Sequence, residues 1–410
     1  MAMKQTQTKM FDFSDVGLDL CSGSKNLFPD RFKKMLSAGY NEQTVASVVI
    51  SGNQITLNYG VSHGYVADRV LKINSGALSA INDGEFWIDS VTTNTVTFTL
   101  DNAPSITPSG FTTKIAPLGW NLVHESTNGF IQVYEFKHID NTVRYARLVF
   151  QSLLGHRNSV TACIGKTFDV TTGFITDTLS YEATRSNLNP NLNAYAWMFT
   201  FDANTTWNNA SSSQGQVFRK CIVVGSLYHF LTCTNYGTQD GFNLSLNCIN
   251  GIVPTSCADY DALDYPAILS YLVSGTATSP STYYSYRTGR FLVGNILSKL
   301  DCNTNYIAIS PVSKSSVLPS SLDHFLVTTS KPLQLFEETS DQFLGVVPFG
   351  LYLGCYAGDS KPGFYNSQTP KLGYDSNTGN ILITHCLGAY NTVTTPVFFH
   401  IPVEGIDHAN

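Results

Sequence analysis

The stretch Val45-Ala-Ser-Val-Val-Ile-Ser-Gly-Asn-Gln-Ile-Thr-Leu-Asn58 decides the fold class. Two short runs rich in β-branched residues, Val45–Ile50 and Gln54–Asn58, lie on either side of Ser51-Gly52-Asn53. Apolar residues at every second position are typical of a strand with one buried face. A Gly-containing connection of this length between two such strands is typical of a β-hairpin. The sequence therefore predicts antiparallel β-structure here.

More short strands are predicted on the C-terminal side of this hairpin, at Arg69–Ile73, Gly84–Val91, Thr95–Leu100 and Thr112–Ile115. The segment 101–110 is rich in Pro and Ser and is predicted to be a surface loop before the last of them. Six or so short strands within about 70 residues predict a small antiparallel sandwich or barrel.

A single short helix is predicted on the N-terminal side, within residues 24–40. Phe28, Phe32, Met35 and Leu36 recur at helical spacing and form one apolar stripe, and Gly39 can end the helix. The stripe predicts a helix that packs against the β-domain that follows it.

A junction is predicted at Pro117-Leu-Gly-Trp120, after which strands and turn dipeptides continue to the C-terminus at the spacing of β-sandwiches. We therefore expect a mainly β protein with two domains. Residues 1–116 would form the short helix and a small antiparallel β-domain, and residues 117–410 a larger antiparallel β-sandwich.

The composition predicts self-association. Only 13% of the residues are charged, about half the usual share, whereas 43% are hydrophobic. A surface with few Lys and Glu residues is poorly protected against association, so we expect a homo-oligomer in which neighbouring subunits cover much of it. The 24 Lys and Arg residues are scattered, which argues against a nucleic acid partner, and no apolar run reaches 18 residues, which argues against a membrane partner.

No residue pattern indicates a reaction, so the sequence predicts no enzyme, no catalytic or metal-ligating residues and no cofactor. Close pairs of His or Cys with metal-ligand spacing are absent from the sequence. Asp259, Asp261 and Asp264, interleaved with Tyr260 and Tyr265, could act on or stack against a glycan, but a loop or helix start is the preferred interpretation. Cys163-Ile-Gly-Lys-Thr167 matches only half of a phosphate-binding loop, because position 160 is Val.

The cysteines and one aromatic segment each allow two interpretations. The nine cysteines follow no repeating interval, and they are interpreted as buried thiols or, alternatively, as bridges between subunits in an oxidising medium. Tyr and Arg are frequent at interface hot spots, so an aromatic segment is a candidate subunit interface or, alternatively, ordinary core. Its residues are Tyr283, Tyr284, Tyr286, Arg287 and Arg290.

Three groups of motifs resemble a family of structural proteins of tailed bacteriophage virions. The first group, in the N-terminal β-region, contains His63-Gly-Tyr65, Asn82-Asp-Gly-Glu85 and Ser90–Phe98. The second is the junction Lys114-Ile-Ala-Pro-Leu-Gly-Trp120 with Ser126-Thr-Asn128 and Tyr134. The third contains Arg144–Leu148, Asp169-Val-Thr-Thr-Gly173 and Gly294–Ser298. The sequence departs from the family pattern at His124-Glu125, Leu148–Phe150 and Asn295.

The resemblance implies a virion component that is made in the host bacterial cytoplasm. We expect a place in the neck, collar or tail-baseplate region and contacts with other virion structural proteins. The first alternative is a receptor-binding tail fibre or spike, with Tyr283, Tyr284 and Tyr286 stacking on a host surface glycan. The second is a capsid decoration protein.

Overall fold

The fold is described from a computed structural model of the chain. The residues that the structure describes are 8–18, 25–105, 109–153, 158–180, 190, 197–198, 218–236, 246–269, 290–300, 330–354, 371–375, 380–389 and 397–403.

The described elements begin with one strand and the helix. Strand β1 is Lys9–Asp12, and helix α1 is Leu27–Lys33, continued by one turn of π-helix at Lys34–Ala38. Gly39 ends the helix with a φ of 75°, and a Cβ there would lie 2.6 Å from the Ile115 carbonyl oxygen, so glycine is required. The predicted helix and its stop are confirmed.

The hairpin region forms a small sandwich of two four-stranded antiparallel sheets, ordered β2-β9-β5-β6 and β3-β4-β8-β7. Phe86 of the first sheet stacks on Phe98 of the second at a centroid distance of 4.6 Å. Two 3-10 helices lie within this region, at Ala77–Ala80 and Asn82–Gly84. The strands are β2 (Tyr40–Thr44), β3 (Ser47–Ser51), β4 (Gln54–Asn58), β5 (Val70–Ile73), β6 (Glu85–Trp87), β7 (Ser90–Val91), β8 (Thr95–Thr99) and β9 (Thr112–Ile115).

A five-stranded antiparallel sheet follows, in the order β10-β11-β12-β13-β14. Both of its faces are covered, since nearly every residue of its central strands is buried. Its strands are β10 (Asn121–Glu125), β11 (Ile131–Lys137), β12 (Val143–Phe150), β13 (Ser159–Gly165) and β14 (Trp197–Met198).

The remaining strands build a large antiparallel sheet that also includes β1. Its strands are β15 (Phe218–Gly225), β16 (Phe230–Tyr236), β17 (Leu246–Val253), β18 (Ser256–Cys257), β19 (Ala267–Leu269), β20 (Arg290–Val293), β21 (Ile296–Leu300), β22 (Ser330–Glu337), β23 (Phe343–Gly354), β24 (Lys371–Asp375), β25 (Asn380–Ala389) and β26 (Val397–Val403). The sheet curls, because β17 pairs with β25 as well as with β16 and β19. A 3-10 helix at Asp261–Leu263 lies between β18 and β19.

The mainly β fold with one short helix is confirmed. The division between residues 116 and 117 stays a prediction, and β1 crosses it, because Lys9–Asp12 pair with residues 222–225 of β15. Among the described helices, none is long and apolar enough to cross a membrane.

Helix α1 lies where the five-stranded sheet meets the large sheet. Phe32 is fully buried, with its ring 5.1 Å from that of Phe150 and 5.7 Å from that of Phe230. Trp120 stacks on Phe136 at 4.4 Å and donates from Nε1 to the Ser226 carbonyl oxygen. Aromatic packing therefore joins the helix, the predicted junction and both sheets into one continuous core.

The junction also completes the end of the helix. The backbone N–H groups of Leu118 and Trp120 donate to the carbonyl oxygens of Met35 and Leu36, at 2.8 and 3.0 Å. The last carbonyl groups of a helix have no hydrogen-bond donors within the helix. Here the backbone N–H groups of the junction are those donors.

One histidine in this core makes stability depend on pH. His229 is buried, its Nδ1 lies 2.8 Å from Ser226 Oγ, and burial lowers its pKa to about 4. The unfolded chain, with a His pKa of about 6.5, binds more protons than the folded chain between these values. We expect the free energy of unfolding to fall as the pH drops from about 6.5 to about 4, by up to about 3 kcal/mol from this group.

The check is urea unfolding of wild type and His229→Gln at several pH values. The difference in unfolding free energy between the two proteins should change across this window and stay constant above pH 7. Parallel pH profiles would contradict the assignment.

Candidate functional site: an uncharged sheet face with an open edge

Two segments of the chain contain no Lys, Arg, Asp or Glu. They are residues 43–67 and residues 90–100. Together they supply all four strands of the β3-β4-β8-β7 sheet. One complete layer of the small sandwich is therefore built without a charged side chain.

Strand alternation divides this sheet into a buried and an outer face. Ile55 and Leu57 of β4 and Val96 and Phe98 of β8 are buried against the core. Their neighbours along each strand point the other way. We call these neighbours the uncharged face; they are Ser47, Val49, Ser51, Gln54, Thr56, Asn58, Thr95, Thr97 and Thr99.

The strand register arranges the uncharged face as three rows of three. The rows are Ser47-Asn58-Thr95, Val49-Thr56-Thr97 and Ser51-Gln54-Thr99. Strand and residue spacings make this grid roughly 10 Å by 14 Å. In the middle row the hydroxyl oxygens of Thr56 and Thr97 are 3.0 Å apart, which fixes both side chains.

Among the described residues, the charged groups that contact the grid and its hairpin turn lie at the margin of the grid. Thr99 Oγ1 donates to Asp89 Oδ2 at 2.7 Å, and Asn53 Nδ2 donates to Asp101 Oδ1 at 3.5 Å. The grid can therefore be covered without burying an ionised group, whose desolvation is the costliest part of many interfaces.

Strand β3 forms an open edge of this sheet. It pairs with β4 and with no other described strand. Exposure alternates along it, and Val49 at its centre is 61% exposed. Proteins commonly protect such edges with Lys or Pro, and β3 carries neither, so this edge is open to association.

The backbone of β3 presents defined groups at this edge. Leu100 N donates to the Asn53 carbonyl, so the odd-numbered residues of β4 bond to β8 and its even-numbered residues bond to β3. Ser47, Val49 and Ser51, which lie opposite these even-numbered residues, thus use their backbone groups within the sheet. The N–H and C=O groups of Val48 and Ile50 consequently point outward.

The hairpin turn sets this register. Ser51 lies opposite Gln54, which leaves two residues in the turn, and Gly52 has a φ of 60°. A positive φ at the first turn position favours glycine in such two-residue hairpins.

The His63-Gly-Tyr65 motif lies beside the β3-β4-β8-β7 sheet and bonds to both sheets of the small sandwich. His63 Nε2 lies 3.1 Å from the Thr95 carbonyl oxygen, and the Tyr65 hydroxyl donates to the Thr113 carbonyl at 2.9 Å. Burial lowers the pKa of His63 and raises the pKa of Tyr65. The motif therefore fastens β8 of one sheet to β9 of the other.

The described structure does not test the predicted interface residues. Tyr283, Tyr284, Tyr286 and Arg287 lie outside the described residues, and Arg290 is the first residue of β20. Their role as an interface stays a prediction.

The predicted acidic cluster adopts the loop and helix start that the sequence favours. Asp259 and Asp261 are exposed, whereas Asp264 lies 2.9 Å from both Arg144 and Lys166 of the five-stranded sheet region. Lys166, the lysine of the half phosphate-loop motif, also lies 5.0 Å from the Tyr265 ring centroid. These contacts tie the loop before β19 to the five-stranded sheet.

The described cysteines agree with the buried-thiol interpretation. Cys163, Cys221 and Cys233 are buried thiols, and Cys257 is a partly buried thiol. Burial raises the pKa of Cys221 and Cys233. Within the described ranges, no group of three or more His, Cys, Asp or Glu side chains could hold a metal ion.

Sequence reasoning missed Val49 as a surface residue, although it placed this residue in a strand. The signal that could have found it was the charge-free run 43–67, which is long enough to leave a complete sheet edge unprotected.

No family model and no curated protein matches the chain. Among solved structures, the chain is similar to the phage phi92 endosialidase with 10% sequence identity and a TM-score of 0.16, over 90% of this chain and 52% of that protein. The chain thus spans about half the length of that protein, and at this TM-score the likeness carries no argument about function.

Proposed function

We propose that this protein is a structural component of a tailed bacteriophage virion, placed in the neck, collar or tail-baseplate region. It assembles through β-rich interfaces with copies of itself and with other virion proteins. The observation that carries the assembly role is the uncharged face with its open edge β3. The resemblance of the junction and His-Gly-Tyr motifs to virion proteins supports the placement in a phage particle.

The uncharged face has the chemistry of a surface that is covered. Hydroxyl and amide groups can exchange their bonds to water for bonds to a neighbour, whereas Lys or Glu at these positions would need an ionic partner when buried. Strand edges add backbone donors and acceptors, which give an interface a fixed register. Both features, the uncharged face and the open strand edge, favour a permanent assembly.

Two charge pairs in and beside the small sandwich are instead buried inside the subunit. Lys9 and Glu85 form a buried ion pair at 2.7 Å, and Arg69 pairs with Asp15 at 2.7 Å. These ion pairs lie inside the subunit, whereas the β3-β4-β8-β7 sheet presents an uncharged face that neighbouring subunits can cover.

Mass spectrometry of purified phage particles, together with separated heads and tails, tests this function. We expect the chain in intact particles and in the tail or neck fraction, in a fixed ratio to other tail proteins. Absence from purified particles would overturn the proposal. Hundreds of copies on isolated heads would overturn the placement, since that is the distribution of a decoration protein.

A further inference from the structure

We propose that two copies of this chain pair through β3, antiparallel and about a two-fold axis at Val49. Two four-stranded sheets would then become one continuous eight-stranded sheet. This inference rests on the proposed function, because it specifies the partner that covers the open edge.

The sequence of β3 is self-complementary. Read from either end, Ser47-Val-Val-Ile-Ser51 has Ser, a β-branched apolar residue, and Val at its centre. Antiparallel pairing centred on Val49 puts Ser47 opposite Ser51 of the second copy and Val48 opposite its Ile50. A two-fold contact needs this property, because the same patch must serve both partners.

The absence of charge matters most at such an axis. A charged residue at the centre of the strand would face the identical charge of the second copy, and like charges directly opposite each other are destabilising. The edge β3 has none from end to end.

The backbone of β3 fits the same register. Val48 and Ile50 direct their N–H and C=O groups outward, as derived above from the β4 pairing. In the proposed register, Val48 and Ile50 of the second copy exchange two hydrogen bonds, and the symmetric pair exchanges two more. All outward groups of both residues are then satisfied.

The side chains add burial on both faces of the new sheet. Val49 and its symmetry mate form a pair without mutual hydrogen bonds, the type in which Cα atoms are about 4.5 Å apart. This contact covers two side chains that are 61% exposed in the single chain. On the inner side, Val48 and Ile50 already pack against the core and would extend it across the joint.

A second copy is the occupant that these observations favour over an unrelated strand. Every requirement above is met by β3 itself, including register, side-chain type and the lack of charge. An isologous contact closes at two copies, so any larger assembly uses a further interface elsewhere on the subunit.

A charge-swap experiment tests the pairing. Full-length wild type, Val49→Lys and Val49→Glu would be measured by sedimentation equilibrium, singly and as a mixture. We expect each variant alone to associate at least tenfold more weakly than wild type, and the mixture to regain one-to-one pairing, because position 49 faces itself across the axis. Unchanged association of Val49→Lys, or no rescue in the mixture, would overturn the proposal.

Val170→Lys is the matched control. Val170 is 70% exposed on a loop beside the five-stranded sheet, so the same substitution adds the same charge outside the small sandwich. We expect its association to equal that of wild type. Equal weakening by both substitutions would indicate a general charge effect and overturn the β3 register.

Cross-linking gives an independent readout. Under mild oxidation Val49→Cys should form a covalent dimer, and Val170→Cys should not. Capture of another virion protein by Val49→Cys in particles, without a homodimer, would assign the edge to that partner and overturn self-pairing. The two proposals can fail separately. If the chain is found in particles but Val49→Lys associates like wild type, the proposed function stands and the β3 pairing is overturned.

Discussion

Replacement of Arg69 by Met is expected to lower the free energy of unfolding by about 3 to 5 kcal/mol. Arg69 Nε and Nη2 donate to the two carboxylate oxygens of Asp15, at 2.7 and 2.9 Å, and both side chains are buried. The Tyr40 hydroxyl donates to the same carboxylate at 2.8 Å. Removing the guanidinium would leave a buried carboxylate with the Tyr40 hydroxyl and the Asp12 backbone N–H as donors and with no cation.

The matched control is Lys33→Met. Lys33 Nζ lies 2.6 Å from Glu125, but both side chains are about one-third exposed, so we expect a loss below about 1 kcal/mol. Urea unfolding of the two variants checks the difference. The double variant Asp15→Leu/Arg69→Met should recover much of the loss, since it leaves no unpaired charge. Equal small losses for Arg69→Met and Lys33→Met would show that the buried pair contributes nothing special.

Replacement of Phe32 by Ala is the second large effect, and we expect it to cost about 3 to 5 kcal/mol. The Phe32 ring is fully buried and contacts the rings of Phe28, Phe150 and Phe230, which belong to the helix and to two different sheets. Truncation leaves a cavity where the helix and the two sheets meet. Thermal and urea unfolding measure the loss.

Phe343→Ala provides the comparison, because Phe343 is 53% exposed on β23 and its truncation opens no cavity. We expect a cost several-fold smaller than that of Phe32→Ala, and an intermediate cost for Phe32→Leu. Similar costs for Phe32→Ala and Phe343→Ala would contradict the role of Phe32 as the joint of the core.

The features predicted from the sequence are those set by neighbours along the chain. The Gln54–Asn58 and Thr112–Ile115 strands were predicted with their observed bounds, because period-two alternation and a Gly turn act within a few residues. The helix was predicted for the same reason. The pairing of β1 with β15 was not, since strand partners far apart in sequence leave no local pattern.

In the candidate site, too, local features could be predicted from the sequence and long-range ones could not. Low charge indicated a covered surface, and the residues of the β3 hairpin were placed in strands. Which strand would lie at an edge depends on the order of the sheet, β3-β4-β8-β7, and that order is a property of the complete small sandwich. The Asp264 contacts with Arg144 and Lys166 likewise join segments about 100 residues apart, and no spacing rule predicts them.

The position of β1 has a consequence for synthesis on the ribosome. Asp12 pairs with Ile222, which is made 210 residues later. At about 5–20 residues per second, β1 waits on the order of ten to forty seconds for its neighbour to emerge. The small sandwich can close during that interval, with Lys9 and Asp15 held by Glu85 and Arg69. Strand β1 thus leaves the ribosome before β15 and is presented, already anchored, as a template for the pairing of these two strands in the large sheet.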